Sequence, residues 1–339
     1  MDVSTAAIHR FEEATGFRSF KKFHHEQAIA FRRSLNEATG ARSGKPLSKA
    51  TISQTLNAVR AFFLWLAEQP GYRRPVRYSD AEYFSLSEKD ERIAKTTNAK
   101  QAPTPEQIES VLQAVPHASV IERRNRAMIA FTWLTGVRDG ALVTLKLKHV
   151  SLAEQSVNQD PREVRTKNSK QIRTTFFPVP GCAQQLVQSW IAELRNLQLW
   201  GNDDPLFPAT LVERDAERGF QPVGIARRHW ANADAARNIF AQAFEASGLP
   251  TFNPHSFRHA LVLLGEELCA TPEEFKAWSM NLGHESVLTT LSSYGTLPDH
   301  RRAAIIKGLR DKKAKSAVEN ADEIAERMAA ILQKRLRTA

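Results

Sequence analysis

The chain has 339 residues, of which 42% are hydrophobic and 25% are charged, and its formal net charge is +10. No apolar run approaches the roughly 20 residues that a membrane-spanning helix requires, and the first residues lack the apolar core of a secretory signal. These features exclude an integral membrane protein and predict a cytoplasmic globular protein. A basic balance attracts polyphosphate ligands, but it does not separate a nucleic-acid-binding protein from one with an ordinary basic surface.

The two cysteines, Cys182 and Cys269, lie far apart and lack CxxC spacing. This pattern argues against a disulfide framework and against a thiolate zinc site. We therefore predict that both are core residues.

The first 95 residues predict a small all-helical domain. The segment 20–38, "FKKFHHEQAIAFRRSLNEA", reads as one amphipathic helix. A second helix follows Ser48, a plausible N-cap, and stops at Pro70 and Gly71. The polar stretch 96–103 predicts a linker between this domain and the next.

A second domain over residues 104–310 begins with a capping-box pattern at Thr104, followed by Pro105. Helices are expected at about 105–115 and 120–135, the second ended by Gly136. The segment "REVRTKNSKQIRTTFFPVP" alternates on both sides of Asn168 and Ser169, so it predicts a β-hairpin with its turn at "KNSK".

Amphipathic patterns predict further helices at 182–197, 233–248, 254–268, 271–282 and around Tyr294. Residues 311–339 predict a charged tether and a short helix with an apolar face (Ile324, Met328, Ile331, Leu332). We expect this face to contact another subunit; the alternative is that it packs on its own catalytic domain. The predicted fold is mainly α with a small β-sheet or hairpin.

The segment "NPHSFRH" is a first candidate for phosphate chemistry. It places His255 and Arg258 three residues apart near the start of a predicted helix, where anions are favoured. A guanidinium fork and an imidazole suit a phosphodiester in its transition state. Two alternatives remain at this point, a surface ion-pairing arginine and a metal pair of His255 with His259, for which no third ligand is near.

Further candidates flank this segment along the chain. Arg138 stands two residues after Gly136, Lys167 lies at the tip of the predicted hairpin, and "LGH" with His284 precedes Tyr294. Each has a plainer reading: a helix-capping arginine, a solvated lysine, or a packing tyrosine after Leu288 and Leu291.

In this order, "TGVR", a hairpin lysine, "HSFR", "LGH" and a following tyrosine resemble the tyrosine recombinase (phage-type integrase) family. The resemblance implies an N-terminal helical core-binding domain that clamps DNA and a mixed α/β catalytic domain. It also implies six catalytic residues: Arg138, Lys167, His255, Arg258, His284 and the nucleophile Tyr294. Two departures stand out, because Ala141 replaces the glutamate that commonly follows the first arginine by three residues, and the spacing from His284 to Tyr294 is one residue longer than in many members. Asp139 is a candidate substitute for the missing acid.

The resemblance implies that Tyr294 attacks the scissile phosphate and forms a 3′-phosphotyrosyl ester, while Lys167 protonates the leaving 5′-hydroxyl. Lys170 is the other lysine in the same turn. The ester stores the bond energy, so no cofactor, ATP or metal ion is expected. The implied partners are double-stranded DNA, a homotetramer on two DNA sites, and accessory DNA-bending or recombinase proteins, with no membrane.

The implied function is site-specific recombination or integration for a mobile element, in a DNA-associated protein of a prokaryotic cell. Two alternatives stay open from the sequence. One is a DNA-relaxing enzyme of the type IB topoisomerase kind, which shares this chemistry, and the other is a non-catalytic DNA-binding protein of the same fold.

Overall fold

The computed structural model describes residues 3–40, 44–95, 101–215 and 219–284. The chain divides into two compact units, residues 1–98 and 99–339. Within the described ranges no helix is both long and apolar enough to cross a bilayer. Tyr294 and the predicted tail helix lie outside the described residues.

The described residues of the first unit contain four α-helices and two 3-10 turns, Phe20–Lys22 and Tyr78–Tyr83; the helices are α1 (Val3–Ala14), α2 (His25–Glu37), α3 (Lys49–Glu68) and α4 (Glu88–Lys95). The prediction of one continuous helix over 20–38 was wrong. The Ser19 side chain caps the 3-10 turn, and α2 starts afresh because the Gln27 side chain accepts a hydrogen bond from the His24 backbone N–H at 3.0 Å.

Helix α3 begins as predicted, because the Ser48 hydroxyl accepts a hydrogen bond from the Thr51 backbone N–H at 3.1 Å. Its apolar face joins a cluster of phenylalanines. The Phe11 ring meets those of Phe31, Phe63 and Phe84 edge to face, with centroids 5.2, 5.5 and 5.3 Å away. The first unit therefore has its own aromatic core.

The second unit contains seven α-helices among its described residues: α5 (Pro105–Ala114), α6 (Val120–Thr135), α7 (Asp139–Leu142), α8 (Ala183–Asn196), α9 (Asp234–Ala246), α10 (Pro254–Leu268) and α11 (Pro272–Asn281). All but the short α7 were predicted, with ends within two residues. The prediction that both cysteines are core residues was wrong for Cys269 and only partly right for Cys182, which packs against the core without being buried. Cys182 is the N-cap of α8 and Cys269 the C-cap of α10, and both are only partly buried because each lies at a helix end.

A small antiparallel sheet, ordered β1-β2-β3, packs in this unit. Its strands are β1 (Val150–Ser151), β2 (Ser156–Gln159) and β3 (Ile172–Thr175). The predicted hairpin around "KNSK" was wrong in its first strand, because β3 pairs with β2, not with residues 162–166. There the Asp160 carboxylate accepts hydrogen bonds from Arg162, and the Val164 backbone N–H donates to the Asp160 carbonyl at 2.8 Å, so the chain turns. Residues 160–171 are called the β2–β3 connection below.

A second ribbon, which the sequence pattern did not reveal, pairs β4 (Ala209–Asp215) with β5 (Gly219–Ala226). Its base is held by Arg124, which is 1% exposed. The Arg124 guanidinium donates to the Pro208 carbonyl and the Thr210 hydroxyl at 2.9 and 3.1 Å, and it lies over the Trp230 ring. Burial lowers the Arg124 pKa to about 10. This arginine is structural, so not every basic pair in the sequence faces a ligand.

Candidate active site

The end of helix α6 sets the position of Arg138. Gly136 ends the helix in the left-handed conformation, at φ 58°, as predicted. A Cβ atom there would lie 2.8 Å from Leu282 Cδ2 and 2.9 Å from Leu261 Cδ1, so the packing has no room for a side chain. Val137 is buried, and half-buried Arg138 is the N-cap of α7. The arginine therefore leaves the chain from a closely packed junction.

Helix α10 carries the next two candidates. Asn253 caps its start by accepting a hydrogen bond from the Ser256 backbone N–H at 3.1 Å, and Pro254 is its first residue. His255 is exposed in the first turn, whereas Arg258, one turn later, is 3% exposed.

The buried Arg258 guanidinium joins three parts of the chain. Nη1 donates a hydrogen bond to the Gly136 carbonyl, and Nη2 donates to the Leu282 carbonyl at 2.7 Å. Nη2 also lies 3.1 Å from His284 Nε2. A buried charge is costly unless it is hydrogen bonded, and two backbone carbonyls meet that need here. We call Gly136, Arg138, Arg258, Leu282 and His284 the Arg258 pocket.

His284 enters this pocket directly after Gly283, whose φ is 75°. A guanidinium only donates hydrogen bonds, so His284 Nε2 is the acceptor and the ring proton lies on Nδ1. Burial, followed by the charges of Arg258, Arg138 and His255, lowers the His284 pKa to about 4. The imidazole is therefore neutral at physiological pH. Three other predicted site residues, Arg258, Arg138 and His255, carry the charges that act on it.

Lys167 lies on the β2–β3 connection, in the 3-10 turn Lys167–Ser169, and is exposed. None of the hydrogen bonds or ion pairs among the described residues joins it to the Arg258 pocket. Two residues earlier the connection is fixed to the turn just after α7, because the Arg165 backbone N–H donates to the Thr144 hydroxyl at 3.0 Å. Since Arg138 is the N-cap of α7, Lys167 and Arg138 belong to neighbouring, linked segments.

Strand β3 is tied to the segment that ends in His284 by Asn281, a residue that sequence patterns gave no reason to select. The Asn281 side chain accepts a hydrogen bond from the Thr175 backbone N–H and donates one to the Thr175 carbonyl, both at 2.8 Å. The Asn281 backbone carbonyl accepts a further bond from the Thr174 hydroxyl at 3.0 Å. An amide that pairs with a strand in this way acts like one more strand residue.

The acid next to Arg138 has a different partner from the one expected. Asp139 accepts hydrogen bonds from Arg237 of α9, at 2.7 Å from Nε and 2.6 Å from Nη2. Ala141, at the position of the family's usual glutamate, is 1% exposed, so a carboxylate there would need a buried partner. Asp139 therefore links α7 to α9, and Arg237 is a site-adjacent residue that sequence reasoning missed.

The sequence left open that His255 and His259 bind a metal ion together, and the two side chains differ in burial. His255 is exposed, whereas His259 is 5% exposed. Across residues 3–40, 44–95, 101–215 and 219–284, no group of three or more His, Cys, Asp or Glu side chains could hold a metal ion.

Arg258 and His284 are neighbours, with Nη2 and Nε2 3.1 Å apart, and the charges of Arg138 and His255 act on the same imidazole. Such preorganised donors stabilise negative charge that develops on a phosphate in the transition state. The neutral His284 ring offers its Nδ1–H as a donor, and the exposed His255 ring offers either a donor or an acceptor.

Comparisons with known proteins agree with this architecture. Residues 102–301 match the model of the Phage integrase family. The tyrosine recombinase XerC of Roseiflexus sp. (strain RS-1) is 22% identical over 281 residues, which cover 83% of this chain and 77% of that protein.

Two solved structures share the fold. The XerH site-specific recombinase bound to a palindromic difH substrate, in a post-cleavage complex, has a TM-score of 0.57 and 17% identity and covers 86% of this chain and 74% of its own. The Tn1549 transposon integrase in complex with transposon right end DNA has a TM-score of 0.54 and 16% identity, and the match covers 91% of this chain and 92% of the integrase chain.

Proposed function

The chain belongs to the phage integrase family and is a tyrosine recombinase, and from this premise we propose that it cuts and rejoins double-stranded DNA at specific sites through a covalent phosphotyrosine intermediate. The observation that carries the proposal is the Arg258 pocket. Its buried guanidinium is oriented by the Gly136 and Leu282 carbonyls, and the charges of Arg138 and His255 act on the same imidazole. Groups held in this way need little reorganisation when a phosphate develops charge.

We assign the nucleophile to Tyr294. A free phenol has a pKa of about 10 and is a poor nucleophile, but nearby guanidiniums lower the cost of phenolate character in the transition state. The Tyr294 oxygen forms the new bond to phosphorus and gives its proton to a base, for which the exposed His255 imidazole is the candidate. Arg138, Arg258 and His284 bind the non-bridging oxygens.

Lys167 is assigned to the leaving group. The bond between phosphorus and the 5′-oxygen breaks, and the Lys167 ammonium donates its proton to that oxygen. A flexible lysine on an exposed turn suits this task, since a point-charge donor can follow the leaving oxygen as it moves. Rejoining is the same reaction in reverse, with a 5′-hydroxyl from another strand as the attacking group.

The wider assembly is also part of the proposal. The XerH and Tn1549 structures are complexes with DNA, and the chain's net charge of +10 favours a polyanionic partner. We place the protein in a mobile element by analogy with the Tn1549 integrase. A homotetramer on two DNA sites follows if the apolar stripe of the C-terminal sequence docks on a neighbouring subunit.

The test of the nucleophile uses wild type and Tyr294→Phe on nicked suicide substrates made from DNA sites first identified by sequencing trapped adducts. Wild type should give a protein–DNA adduct on a denaturing gel, in EDTA, and the variant should give none while binding DNA with unchanged affinity. An adduct that persists in Tyr294→Phe would show that another residue attacks. Relaxation of supercoiled plasmid without exchange between two sites would favour the topoisomerase alternative.

A further inference from the structure

The root of the β2–β3 connection is held by a charged clamp formed by one carboxylate. Glu163 Oε1 accepts a hydrogen bond from Lys148 Nζ at 2.8 Å, and Oε2 lies 2.8 Å from His149 Nε2. Lys148 and His149 belong to the 3-10 turn Leu147–His149, which leads from α7 into β1. The clamp therefore fastens the connection to the chain segment that follows the Arg138 junction.

The orientation of this clamp is fixed by the backbone. His149 is 6% exposed, and its Nδ1 accepts a hydrogen bond from the Lys146 backbone N–H at 3.0 Å. The ring proton is then on Nε2, which donates to Glu163. Hydrogen bonds from Lys148, then from His149, lower the Glu163 pKa to about 2. The carboxylate is thus ionised under any assay condition that DNA tolerates.

Lys167 lies only four residues after Glu163, and two of the three residues between them have fixed positions. Val164 is 2% exposed in the core, and Arg165 donates its backbone N–H to Thr144. These two anchors keep the connection attached without Glu163. A change at Glu163 is therefore expected to alter where the turn points more than whether the unit folds.

We propose that Glu163 is a positioning residue for leaving-group protonation: through Lys148 and His149 it orients the connection that presents Lys167 to the 5′-oxygen. The inference rests on the proposed role of Lys167 as the general acid. Glu163 itself takes no proton and touches no substrate. Misplacing a catalytic group by about 1 Å can cost about 100-fold in rate, so a clamp that sets the lysine's position has a measurable effect.

Asp203 provides a matched control for Glu163. Its carboxylate also lies 2.8 Å from Lys148 Nζ and 3.3 Å from Lys146 Nζ, but it stands outside the connection and its side chain is 75% exposed. Asp203→Asn and Glu163→Gln each remove one negative charge from the same lysines. Both variants therefore remove the same charge from the surface that attracts DNA, and only Glu163→Gln loosens the root of the connection.

The experiment measures single-turnover cleavage by wild type, Glu163→Gln, Asp203→Asn and Lys167→Ala on two suicide substrates. One has the normal 5′-bridging oxygen, and the other has a 5′-bridging sulfur, a leaving group that needs no proton. With oxygen, we expect Glu163→Gln to cleave about 10- to 100-fold more slowly than wild type, and Asp203→Asn to match wild type. With sulfur, Glu163→Gln and Lys167→Ala should both return to near the wild-type rate.

The outcomes distinguish the proposed role of Glu163 from the proposed role of Lys167 as the general acid. If Lys167→Ala is not rescued by sulfur, the proposed acid is wrong and the inference falls with it. If Lys167→Ala is rescued while Glu163→Gln is unaffected with oxygen, or is equally slow on both substrates, Glu163 does not position the lysine. An equal loss in Asp203→Asn would point to a general charge effect and would also overturn the proposal.

Discussion

The Arg258 pocket and the β2–β3 connection serve the same proposed reaction, but they differ in burial and in the kind of contact that holds them. Arg258 is 3% exposed and is held by backbone carbonyls of two distant segments. Lys167 is exposed, and the clamp at the root of its connection uses the Glu163 side chain, which is 31% exposed. In the pocket, backbone carbonyls hold the functional side chain. In the connection, partly exposed side chains hold it by contacts with one another.

The difference follows from what each group must do. A guanidinium that stabilises charge on a phosphate works best when it is already in place and desolvated. A proton donor must follow the oxygen that departs, so some freedom is useful. We therefore expect changes in the pocket to cause large losses that no substrate rescues, and changes in the connection to cause smaller losses that depend on the leaving group.

The largest effect should come from Arg258→Lys. Lysine keeps the charge but loses the planar fork, so it cannot hold both carbonyls and a phosphate, and cleavage should fall about 10²- to 10³-fold, also on the sulfur substrate. Arg124→Lys is the control, since Arg124 is equally buried and bonds the Pro208 carbonyl. That variant should lose stability but cleave normally once folded. Equal cleavage rates for the two variants would show that Arg258 contributes no more to cleavage than the structural Arg124.

A smaller effect, on stability, is expected from Gly136→Ala. The new Cβ would approach Leu282 Cδ2 to 2.8 Å, so overpacking of about 1–3 kcal/mol adds to the strain of the left-handed backbone. Gly248→Ala is the matched control, because Gly248 is also left-handed, at φ +69°, with nothing within 4 Å of an added methyl group. Urea unfolding measures both variants. If the two lose the same free energy, the pocket is less tightly packed than its distances indicate.

The smallest expected effect is on pH dependence, through His284. Its pKa is lowered to about 4 from about 6.5 in an unfolded chain, so the unfolded state binds more protons between these values. Stability from the neutral ring is present above pH 6.5 and is lost as pH falls towards 4. His284→Asn should therefore show a shallower fall in melting temperature over this range than wild type. Parallel curves would mean that His284 titrates normally in the folded protein.

Much of the helical framework could be predicted because its signals are local. Ser48, Thr104 and Gly136 mark helix ends through hydrogen bonds or backbone conformation within a few residues. Apolar periodicity then gives the face that packs. In the same way, Arg138, His255, Arg258 and His284 could be selected together from short motifs, and the charges of the other three act on the His284 imidazole.

The errors in the sheet and the omissions at the site arose where the partner is distant in sequence, whereas the break in the predicted helix over 20–38 has local causes at Ser19 and Gln27. Strand β3 alternates well, but its partner β2 lies beyond a twelve-residue connection, and the nearer segment turns because Asp160 binds Arg162. Arg237 and Asn281 could not be selected, because their roles depend on Asp139 and Thr175, which are about a hundred residues away. No local pattern in the sequence encodes such pairs.

The bridge from Asn281 to strand β3 has a consequence for how the protein opens. Asn281, three residues before His284, shares two hydrogen bonds with Thr175 and one with Thr174. These bonds join strand β3 to the segment that ends in His284. Native proteins open in cooperative segments whose members share such bonds. We therefore expect the sheet edge and the entrance to the pocket to open together, so that their amide hydrogens exchange with solvent at a common rate although they are more than a hundred residues apart along the chain.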